Sequence, residues 1–351
     1  MSDEILVLDD VLPPEAYDNL ARFVASEPME YGSLSNARTD PHGHWTRKFV
    51  AAGRHNLADV SFLIEENPQF EALNAAWRML RDARLQESLL IRCYLNGYTY
   101  GTDGYFHTDS ERADERTAIV YMADKWDPDW AGETTFLDAR GEIVKSVLPK
   151  RNRAVIFPGN LRHAARGVSR KCMILRETLI FKARKKRSGN FEKLSTFLVR
   201  NGALDLGHQT GSLHDHLVRT FAILEARGLA DEVCFGGGLH AVYGTNIFAH
   251  ALMTRAAKPA IVEEFGEDAE ELAYLFSTLN RPATLDSPLE LTREGAVAML
   301  RDGQNIALSR KTFDDLRMIE CANLIDQNAL AKFPALAEAW NARPAADPAP
   351  A

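Results

Sequence analysis

The sequence predicts an α+β chain: an N-terminal double-sheet jelly roll, a double-stranded β-helix with supporting helices, followed by a mostly α-helical domain. Three observations predict it. Between Leu89 and Phe181, short runs of strand-type residues recur, each bounded by Gly, Pro, Asn or Asp. Past Phe191 the apolar spacing becomes helical. The length of 351 residues also exceeds the ~250 at which single cores usually stop growing, so two domains are expected.

In chain order, Pro13 to Glu27 repeats apolar residues on one helical face, with Ala16, Leu20, Phe23 and Val24, and Glu71 to Leu85 does the same with Leu73, Trp77 and Leu80. Both are expected to pack on the back of a sheet. The expected strands are Leu89 to Leu95, Thr117 to Met122, Thr134 to Leu137, Ile143 to Leu148, Ala154 to Pro158 and Met173 to Phe181. The charged run from Lys182 to Asn190 breaks all periodicity and reads as a solvated linker, which puts the domain boundary at 188/189. Helices are expected over Leu213 to Ala226, Asp231 to His240, Ile261 to Phe276 and Leu316 to Ala331, within a domain spanning 189–343. The proline-rich end, 344–351, buries too little surface to order itself.

Hydrophobic residues make up 46% and charged residues 26% of the chain, a soluble globular balance, and no segment approaches the ~20 apolar residues of a membrane span. The net charge of −8, without a long basic stripe, argues against nucleic acid as a partner. Met1-Ser2-Asp3-Glu4 lacks the basic-then-apolar plan of an export signal, so a cytoplasmic location is expected. Cys93, Cys172, Cys234 and Cys321 fit no paired-cysteine metal spacing and read as buried free thiols.

His107 and Asp109 lie two residues apart, so on an extended chain both side chains project from one face and can reach one ion. His163 follows after several strands. Two histidines and one carboxylate, leaving coordination positions open, form the ligand set of non-haem Fe(II) oxygenases.

The segment from Arg92-Cys93-Tyr94-Leu95-Asn96-Gly97-Tyr98 to His107-Thr108-Asp109, then Trp130 to Phe136, then Pro149 to Phe157 and His163, resembles the prolyl-hydroxylase-like branch of the 2-oxoglutarate oxygenases. Ala131 stands where that branch usually has glycine, and Asn152 where a Pro-x-x-Gly-Arg turn would place one. The resemblance implies Fe(II) held by His107, Asp109 and His163, with 2-oxoglutarate and O2 as co-substrates and succinate and CO2 as products. Asp109 is retained, whereas related halogenases lose it, so hydroxylation or desaturation outranks halogenation.

Gripping the distal carboxylate of 2-oxoglutarate requires a buried cation with fork geometry, and Arg176 on the last strand is the candidate, with Arg170 as its rival. The bland alternative for Arg176 is a pair with Glu177 or an outward position. Thr178 shares its face and could add a hydroxyl donor. Tyr94 matches the position where the resembling family places a tyrosine near the co-substrate, although a core tyrosine is the plainer reading. Arg92, two residues earlier, points into the same cavity and suits an acidic group of the prime substrate. Tyr105, Trp126 and Trp130 are candidates for the substrate mouth, or ordinary core.

Asp215-His216-Leu217-Val218-Arg219-Thr220 and Gly238-Leu239-His240-Ala241 resemble the start of an HD-type helical domain. Ala241 removes the carboxylate that catalytic members use for metal, which argues against phosphohydrolase activity. His208, His214, His216 and His240 then form either a residual metal or ligand pocket or a set of histidines satisfying polar groups in a structural module. Three functional readings follow. The first is hydroxylation of a small molecule, an amino acid or biosynthetic intermediate, with the helical half covering the site or forming a homodimer contact. The second is a peptidyl hydroxylase whose second domain recruits the target, and the third a non-catalytic metal-binding sensor.

Overall fold

The computed structural model describes residues 4–35, 40, 42–53, 55–209 and 211–342, so the expectations for the extreme start and for the tail at 344–351 lie outside the described residues. The chain divides into two compact units, residues 1–52 with 59–186, and residues 53–58 with 187–351.

In the first unit the elements run β1 (Leu6–Leu8), α1 (Pro14–Ser26), β2 (Glu30–Ser33), β3 (His44–Ala51), α2 (Ser61–Glu65), α3 (Glu71–Arg84), β4 (Ser88–Tyr98), β5 (Glu115–Tyr121), β6 (Thr134–Leu137), β7 (Ile143–Val147), β8 (Ala154–Pro158), β9 (His163–Ala165) and β10 (Arg176–Lys185). Seven strands form one sheet in the order β1-β8-β5-β10-β4-β3-β2, and three form a second, β7-β6-β9. All the pairings are antiparallel. Apolar residues facing inward from both sheets make the shared core: Ile119, Tyr121, Val155, Phe157 and Ile180 from one, Phe136 and Val147 from the other. On the outer face of the large sheet, Trp77 of α3 stacks on Phe181 of β10 at 6.0 Å. This is the helical support expected from the spacing of Leu73, Trp77 and Leu80.

The stretch expected to be a linker is strand. β10 begins at Arg176 rather than Met173, which is exposed, and continues through Lys182 and Arg184, which are buried. Charged side chains are tolerated there because this is the inward face of a central strand, where other ionic groups meet them: Lys182 pairs with Asp109, and Arg184 lies in register with Glu115. Cys93, Cys234 and Cys321 are buried free thiols, whereas Cys172 is only partly buried.

The second unit contains α4 (Gly189–Arg200), a two-residue pairing of β11 (Gly207–His208) with β12 (Gly211–Ser212), α5 (Leu213–Ala226), α6 (Asp231–Leu239), α7 (Lys258–Phe265), α8 (Glu267–Thr278), α9 (Ala283–Asp286), β13 (Glu290–Leu291), β14 (Gly295–Met299), β15 (Asn305–Ser309), α10 (Arg310–Asp326) and α11 (Pro334–Ala342). Its core is helical, joining Phe191, Leu217, Phe221, Leu272, Phe276 and Ile319. Three features depart from expectation. The helix expected over Leu316 to Ala331 is α10, which begins at Arg310 and ends at Asp326. The helix expected over Ile261 to Phe276 is broken at Gly266, whose φ of 91° ends α7 and starts α8. A three-stranded antiparallel sheet, β13-β14-β15, also precedes α10.

Candidate metal centre and co-substrate pocket

His107 and His163 face each other across an antiparallel bridge, with His107 N donating to His163 O at 3.0 Å and His163 N to His107 O at 2.9 Å. Asp109 N donates to Gly159 O at 2.8 Å, which fixes the carboxylate on the same side. The two imidazoles and the carboxylate so converge that one ligand atom of each lies within 4.8 Å of the others. Among the described residues no other group of three or more His, Cys, Asp or Glu does this.

The tautomers are set by the backbone. His107 Nδ1 is 2.8 Å from Tyr105 O and His163 Nδ1 is 2.9 Å from Leu161 O. A carbonyl only accepts, so Nδ1 carries the proton in each neutral ring, and the Nε2 lone pairs face Asp109 at 3.6 and 3.7 Å. Lone pairs aimed at a carboxylate repel unless a cation lies between them. Burial pushes the His163 ring down to about 4, keeping it neutral. Burial also opposes charge on His107, but Asp109 outweighs it and raises that ring's pKa, so a positive charge at Nε2 is favoured. For Asp109 burial acts upward, yet Lys182, His163 and His107 hold the carboxyl well below its usual range. The donor set and its fixed orientation therefore fit a small divalent metal.

Residues 91–179 match the family model described as the 2OG-Fe(II) oxygenase superfamily. This part of the chain is a 2OG-Fe(II) oxygenase domain. Fe(II) and 2-oxoglutarate are the cofactor and co-substrate of that family, and the domain carries a His-Asp-His group that could hold such a metal. Solved structures similar to the chain include a Trichoplax adhaerens prolyl hydroxylase in complex with a hypoxia inducible factor peptide fragment. It is 14% identical, with a TM-score of 0.39, over 52% of this chain and 84% of that one. A 2OG-Fe(II) oxygenase family oxidoreductase from Burkholderia pseudomallei is 16% identical, with a TM-score of 0.42, over 53% and 87%. HygX from Streptomyces hygroscopicus, with nickel and 2-oxoglutarate bound, is 14% identical, with a TM-score of 0.35, over 52% and 83%. No curated protein matches the chain. Residues 197–281 match a model described only as a domain of unknown function, DUF6817, rather than an HD domain.

Within the oxygenase domain Arg176 is 1% exposed. Its guanidinium lies 5.5 Å from the Tyr98 ring and 5.6 Å from the Tyr121 ring. Nε donates to Gly132 O at 2.6 Å and Nη2 to Thr134 Oγ1 at 3.0 Å. Among the described residues no carboxylate pairs with it, and Glu177 projects to the opposite face of the strand. A guanidinium has five N–H donors, more than these bonds use. Thr178 is buried on the same face, opposite Tyr121 in register. Tyr94 is partly buried against the inter-sheet core beside Lys182, whose Nζ is 5.7 Å from its ring. Arg92 lies opposite Lys182.

Arg170 is corrected: it is exposed, over the ring of Tyr100, in the loop before β10 rather than on the inward face of a strand. Tyr105 is 48% exposed and its contribution to the centre is the backbone carbonyl that orients His107. Trp126 and Trp130 pack edge to face at 5.4 Å, with Trp126 Nε1 donating to Ala131 O.

Sequence reasoning missed Lys182, Thr117, Tyr98, Tyr121 and Thr134. Lys182 Nζ donates to Asp109 Oδ1 at 2.8 Å and Thr117 Oγ1 to Oδ2 at 2.5 Å. The signal for Lys182 was the two-residue alternation of Arg176 and Thr178, which continues through it. The signal for Thr117 and Tyr121 was their shared alternation on β5.

The second unit brings together three of its four singled-out histidines. His216 Nδ1 is 2.7 Å from Asp326 Oδ2, its Nε2 is 3.3 Å from His240 Nε2, and His208 stacks on the His216 ring at 4.1 Å. They line a cavity of about 290 Å³ with Arg281, Asn323 and Gln327. His214 is held elsewhere, 2.9 Å from Ser195 Oγ.

Proposed function

We propose that the chain is a 2-oxoglutarate- and O2-dependent hydroxylase acting on an unactivated C–H bond of a small molecule, an amino acid or biosynthetic intermediate. The observation that carries this is a buried guanidinium, Arg176, without a carboxylate partner among the described residues, in the same two-sheet scaffold as the His107–Asp109–His163 cluster. Burying an unpaired cation is costly, so the fold has a reason to bring an anion to it. In this reading residues 1–188 are the catalytic domain and 189–343 a separate HD-like or otherwise unassigned helical domain, and the protein works in the cytoplasm.

The side chains have distinct tasks. His107, Asp109 and His163 would hold Fe(II), with Tyr105 O and Leu161 O orienting the rings. Arg176, helped by Thr178 and the tyrosines beside it, would bind the distal carboxylate of 2-oxoglutarate through charge-assisted hydrogen bonds. Phe136 and Phe157 pack against His163 and keep water from that side of the centre. When bound, Fe(II) with 2-oxoglutarate and O2 supplies the oxidising chemistry, releasing succinate and CO2. Only 16%, 8% and 6% of the side-chain surfaces of His107, Asp109 and His163 is exposed, which suits a small substrate entering a recess.

The test is an anaerobic titration of the Fe(II)-loaded protein with 2-oxoglutarate, followed by admission of air. The expected result is a weak visible charge-transfer band, then succinate release that rises with the correct substrate from a screen of amino acids and biosynthetic intermediates. The absence of both the band and succinate from the wild type would refute the reading.

A further inference from the structure

Lys182 has no role in the reading above, yet it is enclosed in the wall of the metal centre, 7% exposed and on the same face of β10 as Arg176 and Thr178. Its ammonium pairs with Asp109, the carboxylate it contacts among the described residues, while Thr117 donates to the other carboxylate oxygen. As it stands the buried pair is neutral.

That neutrality ends once Asp109 serves as a metal ligand, the proposed reading on which this inference rests. A dication beside one carboxylate and one ammonium leaves two net positive charges in a place of low dielectric. Of the two negative charges that 2-oxoglutarate brings, Arg176 takes one, so only one offsets the centre. One positive charge is left over, and the ammonium beside the dication is where it resides. Arg92 lies opposite Lys182 in register. A lysine ammonium on its flexible four-carbon stem can turn from Asp109 to another acceptor without moving the strand.

We propose that Lys182 is a substrate-binding residue whose ammonium receives a carboxylate carried by the prime substrate, so that the enzyme's substrates are anionic small molecules. The same chemistry could come from 2-oxoglutarate itself, and the two sources are separable.

The experiment uses the full chain loaded anaerobically with Fe(II) and saturating 2-oxoglutarate, with acetate and acetamide as probes at constant ionic strength, read from the charge-transfer band. Acetate should perturb the wild-type band at concentrations about tenfold below acetamide, equivalent to about 1.4 kcal/mol. Lys182→Met should abolish that preference while its affinity for 2-oxoglutarate stays within about threefold of wild type, and Lys182→Arg should restore the preference. A melting curve on each variant verifies folding. The proposal is overturned if the wild type does not distinguish acetate from acetamide, if Lys182→Met retains the distinction, or if Lys182→Met loses only 2-oxoglutarate affinity, which would assign the ammonium to the co-substrate. A wild type without any 2-oxoglutarate band overturns the reading of the site and this inference with it; a normal band without an acetate response overturns this inference alone.

Discussion

Ala131 and Asn152 both adopt φ of 55°, in the left-handed region that costs ordinary L-residues roughly 1–2 kcal/mol. These are the two positions at which the resembling family carries glycine, and the backbone states why. Asn152 meets the requirement through its side chain, accepting from Leu12 N at 3.1 Å and donating to Leu12 O at 2.7 Å. Ala131 has no such device, so Ala131→Gly should raise the unfolding midpoint of the oxygenase domain by an amount worth about 1 kcal/mol; a lower urea midpoint would contradict the strain. Arg176 is the other residue whose surroundings make a quantitative claim. Arg176→Ala should weaken 2-oxoglutarate binding about a hundredfold, roughly 2.7 kcal/mol, with Fe(II) or Co(II) affinity unchanged, as titration calorimetry would read. Unchanged binding would remove Arg176 from the pocket. Arg176 was legible from sequence because a charge on an apolar strand needs a reason to be inside. That Arg170 lies in an exposed loop is visible only in the fold.

β10 shows where pattern reading stops. Its apolar half to Phe181 is plain in the sequence, but the run Lys182-Ala183-Arg184-Lys185 looks like a solvated linker, because propensity cannot know that Asp109 lies opposite the first of these cations. Native protein should therefore resist trypsin after Lys182 and Arg184, both buried, and be cut first among Lys185, Lys186 and Arg187. Mass mapping of early fragments would check this, and early cleavage after Lys182 would mean that the strand frays. The opposite error occurred at α7 and α8. There an apolar helical period ran on across Gly266, and the positive φ of that glycine, not the pattern, divides the helix.

At the scale of the molecule the chain does not divide at a single point, because residues 53–58 belong with the helical unit. Leu57 is 3% exposed within that unit's core. Leu57→Ala should cost the helical unit about 2–4 kcal/mol and leave metal binding by the oxygenase domain intact, which paired calorimetric melts with and without Co(II) would separate. Conversely, a metal bound only by the folded oxygenase domain stabilises it by mass action, about 2.7 kcal/mol at a hundred times Kd. His107→Ala should abolish the Co(II)-induced rise in its melting temperature. A Co(II) shift that survives His107→Ala would place the metal elsewhere.

The sequence by itself determined that His107, Asp109 and His163 are available as a ligand set, that the first half is built from short strands, and that Arg176 is a cation with a reason to be buried. Those properties are written in residue type and local spacing. Only the tertiary structure decided that Lys182 and Thr117 hold the two oxygens of Asp109, that Tyr98 and Tyr121 flank Arg176, and that residues 53–58 fold with the helices. Each of these depends on strand register and on contacts between segments far apart in the chain, and the free energy of such pairing is shared across partners that no local pattern names.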